Sequence, residues 1–356
     1  MNELYLFVLG RDRALSFLEL ISYFLRKEIS YDVVSFCNDA ALVCLSNSLD
    51  AHKTLEDLGG TVKIAKKIPS LDSITITKNK IAYGITCLDN DANGVMEQLK
   101  KFFHKEKVKA VHRYGSLDRL PPKKSRQLDL ELVVFQKNIF QVVAVSHPAF
   151  YKKRDAFRPV FDPLKGTSIR LSKILINLAQ ARRMILDPFC GIGTILQEAL
   201  LMGYSVFGID SDIRAAAKNI AWLGDAYLAR AQLIEGDARR VASLVSHVEA
   251  VVTEPYLGPY VKKQLDRQEA LVSVKKLEHL YLAFLTNIYQ VLEGRVVLII
   301  PRFRTSSGIV ALDFEHILKK ANFRICSLVS SIPFPLLYRY KESKIDRLIY
   351  VLEKGQ

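Results

Sequence analysis

From residue 184 onward the chain alternates between two patterns. Short apolar runs at 184–188, 206–210, 232–235, 248–253 and 296–301 have the length and composition of strands, and the stretches between them carry helical periodicity. Strands spaced by helices cannot pair as hairpins. They pair in parallel through right-handed crossovers, which predicts an α/β fold with a doubly wound sheet. A helix at 312–320 and strand-like runs at 325–330 and 348–352 follow and read as a terminal hairpin. Such sheets bind ligands beyond the carboxyl ends of their strands, so the residues at those ends are the first candidates for function.

The first half is of another kind. Strand-like runs at 4–9, 31–36, 40–45 and 62–68, with helices expected at 15–25 and 49–58, mark a compact α+β unit closing near Pro69. A second unit is expected from strands at 74–77 and 81–86, a helix at 91–103, and a hairpin of 130–135 with 140–145 around Gln136-Lys137-Asn138. His147-Pro148 and the polar stretch to Gly166 read as a linker, followed by an amphipathic helix at 169–179. The expected divisions are therefore 1–70, 71–148, a linker with its helix at 149–180, and 181–356.

Charge narrows the partners. The 356 residues hold 51 Lys plus Arg against 37 Asp plus Glu, a formal +14, while 49% are hydrophobic, which excludes a disordered chain. The excess is localised: residues 100–126 hold ten basic and two acidic residues, and residues 152–170 hold six and two. A surface of one sign repels itself, and a polyanion relieves that repulsion by releasing counterions. Nucleic acid is the first candidate, against a merely solvated face. The loop Pro121-Pro122-Lys123-Lys124-Ser125-Arg126 favours contact, because its prolines hold the cations out and limit the entropy lost on binding. The candidate nucleic-acid contacts are Lys109, Arg113, Lys123, Lys124, Arg126, Lys152 and Arg154. No apolar run reaches the roughly 18–20 residues of a membrane span, and MNELYLFVLGRDR has an acid where a signal peptide carries bases. The five cysteines form no CxxC pair, and the seven histidines lack ligand spacing. The expectation is a soluble cytoplasmic protein with reduced thiols, no metal and no membrane association.

The strand ends carry the chemistry. The first runs into Asp187-Pro188-Phe189-Cys190-Gly191-Ile192-Gly193-Thr194 and then a helix. Gly191 and Gly193 permit close backbone approach to a ligand, but the third glycine of a dinucleotide loop is replaced by Leu196. An acid four residues before the first glycine repels pyrophosphate and attracts a cation, which suits an ammonium or sulfonium ligand such as S-adenosylmethionine. Asp210, at the end of the next strand in Asp210-Ser211-Asp212, can accept ribose hydroxyls or cap the following helix. Asp237, before Ala238 at the third strand end, can accept from an adenine amine or serve a turn. The fourth strand ends Thr253-Glu254-Pro255-Tyr256. Transfer to an exocyclic amine on a planar base needs an acceptor for one amine proton, a fixed carbonyl for the other and a ring to stack on the base. Glu254, the Pro255 carbonyl and Tyr256 can supply them in that order, and the carboxylate stabilises positive charge developing on nitrogen.

At these residues the sequence resembles the THUMP-domain tRNA guanine-N2-methyltransferases, the archaeal and eukaryotic enzymes acting near position ten of tRNA. The opening Leu6-Phe7-Val8-Leu9-Gly10-Arg11, the stretch Tyr151-Lys152-Lys153-Arg154-Asp155 through Arg158-Pro159 to Ala179, and the loop 187–194 carry the likeness. The resemblance implies a ferredoxin-like domain at 1–70 and a THUMP RNA-binding domain at 71–148, leading to a Rossmann-like class I methyltransferase domain at 181–356. It also implies S-adenosylmethionine as cofactor, held by Asp187, Phe189, Cys190, Gly191, Gly193, Thr194, Asp210, Ser211, Asp237 and Ala238, and tRNA as partner. The family typically has Asp-Pro-Pro-Tyr where this chain has Glu254-Pro255-Tyr256. The expected activity is methyl transfer to the N2 amine of a guanosine in tRNA. The alternatives are a ribosomal RNA guanine, an adenine amine, or a non-catalytic RNA-binding subunit. A small activating protein partner is left open.

Overall fold

A computed structural model describes residues 2–37, 39–88, 94–114, 119–162, 166–259, 264–339 and 345–355. It divides into two compact units, one of Met1–Phe17 with Lys27–Lys152 and one of Leu18–Arg26 with Lys153–Gln356.

In the first unit β1 (Glu3–Leu9) leads into α1 (Arg13–Arg26), whose C-terminal portion belongs to the second unit. Then follow β2 (Tyr31–Phe36), β3 (Ala40–Leu45), α2 (Ala51–Asp57), β4 (Thr61–Lys67), β5 (Lys80–Cys87), α3 (Val95–Lys105), β6 (Lys109–His112), α4 (Pro122–Ser125), β7 (Leu130–Phe135) and β8 (Asn138–Val145). The strands form one sheet in the order β2-β3-β1-β4-β8-β7-β5-β6. The boundary expected near residue 70 falls between β4 and β5, yet β8 returns to pair with β4, so strands from both expected segments share this sheet. The hairpin turn places Gln136 at φ 49 and Lys137 at φ 61, the left-handed geometry of a tight two-residue connection.

Two expectations fail here. Residues 74–77 form no strand; after a short 3₁₀ turn at Leu71–Ser73, the Ile74 N–H returns to the Leu71 carbonyl and its side chain packs among Ile81, Leu99 and Phe103. An apolar run can be buried without joining a ladder. Conversely β6 was unanticipated, because its sequence Lys-Ala-Val-His hides a strand among cations; it pairs in parallel with β5 at the sheet edge. Residues 91–93 of the expected helix and Asn38 of the expected turn lie outside the described residues.

Inside this unit Lys63 of β4 and Glu131 of β7 form a buried ion pair, and Ser125 of α4 also donates to the Glu131 carboxylate. Burial pushes the Lys63 ammonium down from its usual range, against the opposing pull of Glu131. Removing one partner strands a charge in the core. Lys63→Met is therefore expected to cost about 3–5 kcal/mol by urea denaturation, and Lys63→Met with Glu131→Leu to recover most of it; equal losses in both would show that the pair is not coupled.

The second unit continues through α5 (Pro148–Phe157), which begins in the first, and α6 (Ile169–Ala179). Its sheet is assembled from β9 (Met184–Asp187), α7 (Thr194–Leu201), β10 (Ser205–Asp210), α8 (Arg214–Ala221), α9 (Asp225–Leu228), β11 (Ala231–Glu235), α10 (Val241–Leu244), β12 (Ala250–Thr253), α11 (Arg267–Ile288), β13 (Val296–Thr305), β14 (Gly308–Ala311), α12 (Phe314–Ala321), β15 (Phe323–Ile325), β16 (Leu336–Tyr338) and β17 (Ile345–Lys354). The strand order is β11-β10-β9-β12-β13-β17-β15, with β14 on β13 and β16 on β17. Pairing is parallel from β11 to β13, and β17 runs antiparallel to β13, β15 and β16. The order reverses between β9 and β12, which places the ends of the first and fourth strands of this sheet side by side.

The expected linker contains α5, and α6 is buried on nearly every face, including Ser172, Lys173 and Asn177, rather than amphipathic. Asn177 donates to Glu19 at 3.0 Å, which explains how a polar residue is accommodated there. In the expected terminal hairpin the first arm is displaced to Phe323–Ile325, so that of 325–330 only Ile325 is strand, and β16 supplies a further short arm on β17.

Candidate active site

The reversal of strand order brings Asp187 and Glu254 to one small cavity, lined by Thr167, Asp187, Phe189, Cys190, Thr194, Ile195 and Glu254. Asp187 ends β9 and is 2% exposed. It accepts from Thr253 Oγ1 at 2.6 Å and from the Phe189 N–H at 3.2 Å. Burial outweighs these bonds, and with the charges of Asp210 and Glu254 nearby the carboxyl is pushed up to about 7. Next along, the Cys190 thiol is driven upward by burial and by Asp187 and Asp210, which leaves it a neutral wall of the cavity.

The glycine loop is pinned rather than loose. Gly191 N–H donates to Asp210 Oδ2 at 2.8 Å, Cys190 N–H to the Ile209 carbonyl at 3.0 Å, and Asn219 Nδ2 to the Ile192 carbonyl at 2.8 Å. Gly193 sits at φ 81, and a Cβ there would stand 3.2 Å from the Ala216 Cβ, so the sequence has glycine where both conformation and space require it. Phe189 packs edge-on against Phe284 of α11 at 5.5 Å.

Asp210 holds this loop and also accepts from Ser211 Oγ at 3.3 Å and the Asp212 N–H at 3.2 Å. It caps no helix: α8 starts at Arg214 with Ile213 at its N-cap. Asp237 stands apart. It caps the 3₁₀ turn Ala238–Arg240, and its carboxylate is gripped by Arg239 at 2.6 Å, which holds it below the usual carboxylate range; Ala238 is buried. The three acids at successive strand ends are thus not one cluster. Asp187 lines the cavity, Asp210 is linked to it through the Gly191 amide, and Asp237 would have to exchange Arg239 for an adenine amine.

Glu254 is held at both oxygens. Thr167 Oγ1 donates to Oε2 at 2.6 Å, and Arg347 Nε on β17 donates to Oε1 at 2.6 Å. Pro255 is buried, while Tyr256 is 56% exposed and its carbonyl accepts from the buried Tyr281 hydroxyl at 2.7 Å. An exposed ring on a backbone so anchored can meet a planar ligand at low entropic cost. Arg347 and Thr167 were missed in the sequence. So was the cavity-side role of Arg158, a buried guanidinium that donates to Thr194 Oγ1 at 2.8 Å and pairs with Asp155 at 2.8 Å.

The expected RNA contacts divide. Lys109, Arg113, Lys123, Lys124, Arg126 and Lys152 are exposed, with Lys124 over the Tyr114 ring at 4.9 Å and Arg126 donating to the Val145 carbonyl at 3.2 Å. Arg154 departs from the expectation: its side chain is only 16% exposed and forms an ion pair with buried Glu198, so it is engaged within the second unit.

A doubly wound sheet of this strand order, with a glycine loop after its first strand and an acid, proline and aromatic after its fourth, defines a Rossmann-like methyltransferase fold. Residues 163–322 match the family model described as UPF0020: RMKL-like, methyltransferase domain. The chain is 30% identical over 212 residues to a tRNA (guanine(10)-N2)-dimethyltransferase of Pyrococcus abyssi, covering 57% of this chain and 54% of that one. It is 32% identical over 182 residues to the protein of the same name from Methanothermobacter thermautotrophicus, covering 49% and 50%. These relatives support the resemblance read in the sequence, and the chain spans about half the length of each. In fold it is similar to TrmN from Thermus thermophilus, with a TM-score of 0.51 at 17% identity and 99% of both chains covered. Arg347 lies beyond the matched 163–322.

The raised Asp187 carboxyl has a stability consequence. Its folded value of about 7 lies above the ordinary carboxyl value of 3.8, so its contribution is full below about pH 4 and is lost as pH rises through about 7. In Asp187→Asn that loss disappears. The stability of the variant relative to the parent, from urea midpoints, is expected to rise by on the order of 3–4 kcal/mol from pH 4 to pH 8; a difference independent of pH would mean that Asp187 titrates normally.

Proposed function

We propose that this chain is an S-adenosylmethionine-dependent methyltransferase that acts on the exocyclic N2 amine of a guanosine in tRNA. The observation that carries the reading is the shared cavity of Asp187 and Glu254: one buried acid with no cationic partner among the described residues, at the glycine loop, and one fixed acid at the end of the neighbouring strand. The names of the relatives, tRNA (guanine(10)-N2)-dimethyltransferases, support tRNA as the substrate class.

The residues fit the cofactor on their own chemistry. A buried carboxyl raised to about 7 is stabilised in its charged form by a sulfonium or ammonium group, and a pinned glycine loop offers close backbone approach. Asp187 and the loop through Thr194 would hold S-adenosylmethionine, with Asp210 and Ser211 toward its ribose and Asp237 with Ala238 toward its adenine. When bound, the cofactor supplies an electrophilic methyl group. The chain's own work is on the base: Glu254 accepts an amine proton, the Pro255 carbonyl takes the second, and Tyr256 stacks on the ring. Holding both protons turns the amine lone pair out of conjugation, and the carboxylate stabilises the charge that develops on nitrogen. Because the amine is paired or stacked in a stem, the nucleotide must be drawn out, at about a few kcal/mol, and phosphate contacts by the basic N-terminal unit offset that cost.

Labelled cofactor incubated with bulk tRNA, followed by nucleoside analysis, is expected to yield N2-methylated guanosine; label on adenosine, or only in ribosomal RNA, would overturn the assignment. Glu254→Ala should lower turnover at least about 100-fold with tRNA affinity nearly unchanged. Full activity in that variant would remove the proposed mechanism. Replacing Lys123, Lys124 and Arg126 by Ala should weaken tRNA binding and reduce the slope of log affinity against log salt by about 2–3. An unchanged slope would identify that segment as merely solvated.

A further inference from the structure

We propose that Glu254, held by Thr167 and Arg347, selects guanine over adenine by taking the N1–H and one N2–H of the extruded base on its two oxygens. The inference deepens the methyltransferase reading above and rests on it. Each Glu254 oxygen accepts one bond, Oε2 from Thr167 Oγ1 and Oε1 from Arg347 Nε, both at 2.6 Å. A carboxylate oxygen has two acceptor directions, so among the described residues one is left on each. The side chain lines the cavity and is 13% exposed rather than sealed. A carboxylate that served only to tie the end of β12 to β17 would have no reason to face that cavity.

Two adjacent acceptors fit one base edge. Guanine carries N1–H beside its N2 amine, and their spacing matches the two oxygens of a carboxylate, the geometry in which carboxylates pair with forked N–H donors. With the Pro255 carbonyl on the second amine proton, three acceptors meet the three donors of that edge. Adenine carries a bare N1 beside its amine, so one carboxylate oxygen would face a lone pair and make no bond. A free glutamate could escape that clash by turning one oxygen away and taking the amine proton alone. Thr167 and Arg347 block the escape, because turning the carboxylate breaks the bonds they make to it. Thr167, just before α6, and Arg347, on β17, therefore act as positioning residues. The fixed acid rejects the wrong base as well as holding the right one.

The test uses the full chain with S-adenosylmethionine and a tRNA in which the guanosine that the parent methylates is replaced by 2-aminopurine riboside, which keeps the 2-amine but has a bare N1. That base pairs more weakly in a stem, so extrusion favours it and any loss arises in the pocket. Its kcat/KM is expected to fall at least about 30-fold, while 6-thioguanosine, which keeps the N1–H, costs much less. A smaller fall with 2-aminopurine, or an equal fall with 6-thioguanosine, in a parent that methylates guanosine, overturns this selection and leaves the function standing. No methylation of tRNA guanosine by the parent overturns both. Thr167→Val and Arg347→Gln are each expected to lower the ratio of guanosine to 2-aminopurine rates at least about 5-fold, whereas Thr167→Ser retains it. Loss of stability alone lowers both rates alike, so an unchanged ratio in the folded variants removes the role assigned to Thr167 and Arg347.

Discussion

A carboxyl group buried where the sheet reverses its strand order organises the second unit. Asp187 can sit at 2% exposure only because Thr253 from the adjacent strand and the Phe189 amide satisfy it, and those two bonds tie the end of β9 to the end of β12 and to the glycine loop. The parallel ladder supplies the registration: Val251 is opposite Leu186, so Thr253 arrives beside Asp187 and Glu254 projects just beyond. With Asp187 raised to about 7, the site is left electrostatically unfinished. A cationic ligand bound there would offset the free energy lost by burying the acid, as the proposed function requires.

Glu131 plays a comparable part in the first unit. Its carboxylate draws together Lys63 of β4, Ser125 of α4 and, at 3.5 Å, Thr86 of β5. Ser125 stands between Lys124 and Arg126, so the buried acid anchors the segment that displays those cations. A charge placed in the core thus fixes charges on the surface, so a polyanion bound there would meet cations on a held backbone. The cost of ordering a loop on binding falls accordingly.

Most of both sheets was legible in the sequence because their central strands are continuous apolar runs, and the turn residues between them mark their ends. Short edge elements were not. β6 and β16 are three or four residues long, and neither has an apolar pattern strong enough to separate it from a loop, while residues 74–77 have the pattern without a partner strand. Within the site, the residues at strand ends after β9, β10 and β12 were readable from position alone. Thr167 and Arg347 were not, since they reach Glu254 from 87 and 93 positions away, and no local period encodes a contact of that range. Asp237 shows the opposite failure: a strand-end position is readable, but whether a neighbouring arginine already occupies the carboxylate depends on one side chain two residues on.

Glu254 is one methylene longer than the aspartate usual in the family the sequence resembles, and a longer arm samples more rotamers. The structure removes that freedom. Thr167 holds one oxygen and Arg347 the other, so the carboxylate is fixed at two points, much as a shorter side chain is fixed by its own stem. Each oxygen has spent one of its two lone-pair directions, and the remaining directions are those a base amine can use. Arg347 sits on β17, beyond the part of the chain that matches the methyltransferase domain family, and is one position from Asp346 with its three arginines. Successive residues of a strand face opposite sides. The terminal strand therefore carries two charge arrangements at once: on one face Arg347 fixes the Glu254 carboxylate, and on the other the buried Asp346 carboxylate accepts from Arg302 and Arg339.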